Sequence, residues 1–203
     1  MASVLSFDEI NYLQEYTAMF DQADKAVRDT WYAYLGTPEL KKKMCDTLED
    51  LIVYAFVSGI GQTDVQLDFD RALSEAESAS ALRTVIDHKA AGKTLADRVE
   101  DHINENSLPK MLILADTEIH RAYNEGMLAE AHKIGYTNGL SVQKTWHTME
   151  DERVRESHYW LDQLTIPIDM SFWVYNDSAL APGMFSTAEE NVNCRCWLTY
   201  SIA

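Results

Sequence analysis

The chain has 203 residues, enough to bury one sizeable core or to hold a helical region plus a compact second unit. At 46% hydrophobic and 25% charged, its composition is that of a globular protein and excludes collagen-like or long disordered character. Acidic side chains outnumber basic ones 33 to 17 for a net charge of −16, and neither part of a chain divided at Gly135 is basic, so the Lys/Arg stripe that non-specific duplex binding requires is missing.

Met1 to Phe7 lacks the positive and apolar stretches of a secretory signal, and no apolar run approaches the roughly 18–20 residues of a bilayer span. With only three cysteines, this predicts a product kept in a reducing cytosol or in a particle assembled there, with Cys45 as a small core residue. Ser6-Phe7-Asp8-Glu9 has the form of a capping box that opens a first helix. Ile10, Leu13, Tyr16, Phe20, Ala23, Val27, Trp31 and Tyr34 then recur at helical spacing, and Gly36 ends the run. Thr37-Pro38 predicts the cap of a second helix through Met44, Leu48, Leu51, Ile52 and Ala55, closed by Ser58-Gly59-Ile60-Gly61. Its Lys41-Lys42-Lys43 run is flanked by Glu39, Asp46, Glu49 and Asp50 and reads as a solvated face rather than a nucleic-acid patch.

Residues 62–93 carry a weaker helical pattern, and Thr94 caps a helix through Leu95, Val99 and Ile103. Leu108-Pro109 opens the clearest helix of the chain, with Leu112, Ala115, Ile119, Ala122 and Tyr123 on one face and Gly135 as its stop. Beyond Gly135 the period changes, which predicts a boundary between a helical region, 1–135, and a small α+β unit, 136–203. Tyr136 to Gly139 is turn-like, and Ser141 to Thr148 alternates as a strand with Val142, Lys144, Trp146 and Thr148 on one side. A short helix around Arg153 to Leu161, a strand near Phe172 to Tyr175, a Pro182-Gly183 turn and a last strand from Arg195 to Tyr200 complete the unit. The strands are too few for a barrel and predict a short antiparallel sheet.

The chemistry-bearing residues fall in this last part: Lys144, Trp146, Asp151, Arg153, Arg155, His158, then Asn193-Cys194-Arg195-Cys196. In order, spacing and type they resemble the C-terminal signature of phage Mu F-like minor head proteins, a head morphogenesis family associated with the portal vertex of tailed phages. Thr117-Glu118 followed by Arg121, Asn124 and Gly126 resembles the helix that precedes this signature, so the resemblance covers roughly residues 95–200. Family members often have Gly where Gln163 stands and Asp where Met184 follows Pro182-Gly183, which predicts two differently built turns.

The residues themselves admit bland and sharp readings. Asp151 can clasp Arg153 or Arg155 through a carboxylate-guanidinium pair, or Asp151, Arg155 and His158 can form the acid-base and phosphate-clamping set of a nuclease. Glu118 reads as a helical ion pair with Arg121 and Lys110 rather than a general base. Cys194 and Cys196 face one side of an extended strand, where they are either thiols packed beside Trp197 or, with His158, three ligands of a zinc site completed by Asp151, Asp162 or His147. The packed thiols are the expectation, so no cofactor is predicted. His88, His102, His120 and His132 are expected in surface or capping roles.

The resemblance implies a virion protein present in few copies inside the capsid near the portal, made in the host cytoplasm, with the portal protein or the major capsid protein as partner. In that picture the acidic N-terminal helices dock through aromatic anchors such as Trp31, Tyr32 and Tyr34. No enzyme activity, membrane contact or specific nucleic-acid binding is expected. Alternatives are a small nuclease or toxin-like effector, and a host adaptor taken from a prophage; with Ala203 so close to the last strand, no room is expected for an appended effector.

Overall fold

In the computed structural model, which describes residues 7–67 and 83–203, helix α1 (Phe7–Tyr34) buries Tyr16, Met19, Ala23, Val27 and Trp31, the stripe that helical spacing requires. The Ser6 capping box and the stretch from 68 to 82 lie outside the described residues. Gly36 follows at φ +80°, a left-handed turn that glycine adopts without steric cost. Thr37 does not act as the expected cap: its hydroxyl donates back to the Tyr34 carbonyl at 2.8 Å, and α2 (Leu40–Leu67) begins three residues later. The aromatic anchors expected on α1 are also revised. Trp31 is in the core and Tyr34 is half-buried, so only Tyr32 is left exposed.

Helix α2 runs straight through Gly59 and Gly61 instead of stopping there. The cause is its neighbour, α4 (Leu108–Asn138). A Cβ on Gly59 would lie 2.1 Å from the Tyr123 carbonyl oxygen, and one on Gly126 would lie 2.1 Å from that of Phe56. Backbone therefore rests on backbone, and Thr63 bridges the crossing by donating to Gly59 O and Met127 O. Between these helices comes α3 (Leu95–Asn104), capped by Thr94 and Asp97 in a reciprocal box as expected. Ser107 and Pro109 start α4, which continues past Gly135 to a left-handed Gly139 at φ +64°, so Tyr136 to Asn138 are its last turn. Gly135 is a close-approach position inside the helix, since a Cβ there would lie 3.1 Å from Val142 Cγ2 and 3.2 Å from the Leu140 carbonyl oxygen.

The helices and the C-terminal strands share one buried core. Strand β1 (Val142–His147) is the centre of a three-stranded antiparallel sheet, between β2 (Thr165–Pro167) and β5 (Trp197–Ile202). Val142, Lys144 and Trp146 alternate into the interior, as the sequence pattern required. A second hairpin, β3 (Phe172–Val174) with β4 (Asp177–Ala179), and two one-turn helices, α5 (Glu156–Tyr159) and α6 (Ala188–Asn191), complete an α+β fold. β2, β4 and α6 had no sequence signal because each is three or four residues long. At the turn into β2, Gln163 takes φ +61°, the conformation a glycine would adopt freely, while its amide reaches His147 Nδ1 at 3.2 Å.

Candidate functional site

The signature residues converge where α4 meets the C-terminal loops, beside a cleft of ≈ 770 Å³ lined by Tyr16, Asp116, Arg153, Arg155 and Arg195. Glu118 is almost fully buried in α4 and held by two guanidinium groups, Arg98 at 2.5 Å and Arg121 at 3.0 Å. Burial alone would raise its carboxyl, but the Arg98 hydrogen bond and the two positive charges outweigh that and keep it low. Lys110, expected as a partner, pairs with Glu105 instead. Arg121 also reaches Glu125 at 2.6 Å and the Val85 carbonyl at 2.7 Å, so one side chain ties α4 to the segment before α3. Asn124 turns its amide to the His120 carbonyl.

Asp151 does make a bidentate pair, but with distant Arg195, at 2.6 and 2.9 Å. That hydrogen bond holds the Asp151 carboxyl down at about 2. Arg153 comes no closer than 3.5 Å through its side chain, although its backbone N–H donates to Asp151 at 3.1 Å. Arg155 turns away and donates to the Val192 carbonyl. Lys144 is buried, donates to Leu180 O at 2.8 Å and lies over the Phe172 ring; burial pushes its ammonium down to about 8. Trp146 stands edge-on to His158 and Phe172, filling the core between them.

His158, Cys194 and Cys196 form a buried trio whose ligand atoms all lie within 4.8 Å of one another. His158 Nδ1 is 3.6 Å from Cys194 Sγ and 3.5 Å from Cys196 Sγ, while Nε2 lies 3.2 Å from Glu190. Both thiols are free, and the hydrogen bond between them lowers Cys194 while raising Cys196. Asn193 precedes them at φ +58°, a left-handed position that asparagine tolerates better than most residues. The three residues considered as a fourth ligand are engaged elsewhere: Asp151 with Arg195, Asp162 with the Thr148 N–H, His147 with Thr199. Cys45, by contrast, sits half-buried at the edge of the helical core.

His120 departs from the surface role expected of it. It is fully buried because α4 is enclosed on nearly every side, its ring adjoins the Cys194 thiol, and Tyr16 hydrogen-bonds its Nδ1. Asp177 and Asn191 also gave no sequence signal. Asp177 accepts from the backbone N–H groups of Ser178, Ser186 and Thr187, and Asn191 both donates to and accepts from the Phe185 backbone.

The model of the family described as phage Mu protein F like protein matches residues 46–199, from within α2 to β5. The chain belongs to this family. The minor head protein GP7 of Bacillus phage SPP1 is 35% identical over 109 residues, 53% of this chain and 34% of that protein. The NAD(+)–arginine ADP-ribosyltransferase EFV of Enterococcus faecalis is 32% identical over 108 residues, 52% of this chain and 22% of the enzyme. The chain thus spans a minor part of the length of either relative. No solved structure matches. Membership makes the chain a Mu F-like protein of the phage minor head group, and the match extends upstream of Leu95, where the resemblance in the sequence began. Among the described residues, no helix is long and apolar enough to cross a membrane.

Proposed function

We propose that this Mu F-like chain is a non-enzymatic head component of a tailed phage, held near the portal inside the capsid and acting in head morphogenesis, with packaging or ejection of DNA as the process it assists. The observation that carries this reading is the commitment of the family residues to the fold. Glu118, Arg121, Asp151, Arg155 and Arg195 bond to one another, to Arg98 or to backbone carbonyls. As an acid-base set, Asp151, Arg155 and His158 are poorly suited: the carboxyl stays ionised against Arg195, and the imidazole is buried among thiols. In this reading the helical region expected over 1–135, whose last helix extends to Asn138, does the docking, and the strands and loops beyond it form the compact unit expected over 136–203.

The partner is the portal protein or the major capsid protein, recognised through a basic surface that complements the charge of −16. Exposed Tyr159, Trp160, Trp173 and Tyr175 supply aromatic anchors in place of buried Trp31. Mass spectrometry of purified particles tests the proposal. The chain is expected at low copy number together with the portal, and its absence from intact particles overturns the reading. Incubation of the purified protein with RNA and DNA tests the enzyme alternative: no cleavage above that of His158→Ala is expected, and His158-dependent cleavage would make the chain a nuclease.

A further inference from the structure

We propose that the cleft where α1 and α4 meet the C-terminal loops binds an acidic peptide segment, whose carboxylates are received by Arg153, Arg155 and Arg195. The chain has four basic residues beyond Gly135, and three of them line this one cleft. Such a concentration runs against a net charge of −16. The fold supplies one carboxylate for the three guanidinium groups. Asp151 pairs bidentately with Arg195 and reaches the Arg153 side chain only at 3.5 Å. Arg155 has no carboxylate partner among the described residues, and its bond goes to the neutral Val192 carbonyl. Asp116 also lines the cleft, but among the described residues it makes no ion pair with these arginines.

The three groups are placed in advance of any ligand. Asp151 fixes Arg195, the Val192 carbonyl fixes Arg155, and the backbone N–H of Arg153 donates to Asp151 at 3.1 Å while its side chain stays 70% exposed. A guanidinium has five N–H donors in a planar fork, so Arg155 keeps donors for a two-oxygen anion after bonding Val192. The rest of the cleft selects a peptide over a nucleic-acid strand. Tyr16, Phe20 and Met149 give an apolar surface on which the residues beside a carboxylate can lie. On the α4 side, Asp116 repels further anions. A nucleic acid carries a phosphate at every nucleotide and needs a continuous basic track, whereas a peptide can place a glutamate or aspartate against the arginines and an apolar residue next to it. The volume of ≈ 770 Å³ suits a short segment, within the roughly 300–1,000 Å³ of ligand pockets.

The test titrates the full chain with an end-blocked peptide that alternates glutamate with leucine, and follows the Nε–H NMR signals of the arginines. Signals of Arg153, Arg155 and Arg195 should shift saturably, and replacing every glutamate by glutamine should weaken binding about 10-fold or more. Arg155→Gln should weaken it by about 10-fold. Arg153→Gln should weaken it about 3-fold, and it leaves the Asp151 pair with Arg195 in place, so it reports even where Arg155→Gln does not fold. Equal affinity for the glutamine peptide overturns the proposal, as does an affinity that Arg153→Gln and a folded Arg155→Gln both leave unchanged. No saturable shift at millimolar peptide overturns it without any variant. Tighter binding of a single-stranded oligonucleotide of equal net charge identifies a phosphate site and overturns it too. None of these readouts depends on the chain being a head component.

Discussion

The α2–α4 crossing and the C-terminal loops hold the molecule together by opposite means. At the crossing, two glycines let main chains touch and apolar side chains fill the rest, so stability comes from shape. The C-terminal region has strands of three to six residues and fixes its loops by side-chain bonds to backbone: Asp177 to three N–H groups, Asn191 to Phe185, Lys144 to Leu180, Arg155 to Val192. Short strands bury too little surface to order the connections between them, and polar clasps supply what packing does not. Shape is therefore expected to govern global stability, and clasps local order.

Four substitutions test that contrast. Glu118→Ala leaves Arg98 and Arg121 buried without their shared carboxylate and should cost about 3–5 kcal/mol in denaturant unfolding. A loss below 1 kcal/mol would mean that water reaches the pair and that it does not belong to the helical core. Gly126→Ala inserts a methyl against the Phe56 carbonyl and should cost about 3 kcal/mol or more, with the helices forced apart. If the same change is tolerated, the crossing is not as close as described. Asp177→Ala should cost about 1–2 kcal/mol, with faster amide exchange at Ser178, Ser186 and Thr187 ahead of the helices. Uniform acceleration across α2 and α4 instead would erase the distinction between the regions.

The smallest effect is expected at the cleft where the regions meet. Burial, with help from the Asp24 charge, raises Asp116 to about 6, against about 3.9 in an unfolded chain. The folded state then holds the extra proton between those values. This contribution is fully present below about pH 4 and is lost as pH rises through about 6. Asp116→Asn should flatten that part of the melting-temperature profile. Asp151 has the reverse sign, since Arg195 holds it at about 2 and its contribution disappears as pH falls from about 4. A profile of Asp116→Asn that still falls from pH 4 to 6 would assign the slope to another group.

The sequence made periodic features legible and left ambiguous ones open. Alternation in Val142 to His147 and the Thr94 cap state their structure locally, and both formed as expected. Glycine is different, because it marks either a left-handed turn or a close approach. Gly36 and Gly139 are turns, whereas Gly59, Gly126 and Gly135 are contacts inside helices, and composition does not separate the two. Partner choice was harder still. Asp151 does pair with Arg153 two residues away, at 3.5 Å, but its closer, bidentate partner is Arg195, 44 residues on. Exposure of α1 aromatics was misread at Trp31, since one helix face says nothing about whether a neighbour covers it.

Helix α4 carries the Glu118 ion pair, His120, the Gly126 contact and the Gly135 approach on 31 unbroken residues. It therefore acts as a ruler. One residue inserted between Glu118 and Gly126 would rotate everything beyond it by about 100° and advance it by about 1.5 Å, placing a side chain where the Phe56 carbonyl now rests. Substitutions along this segment can be absorbed one at a time, but its length is set by both ends, and insertions or deletions should be confined to the loops that the helix does not measure.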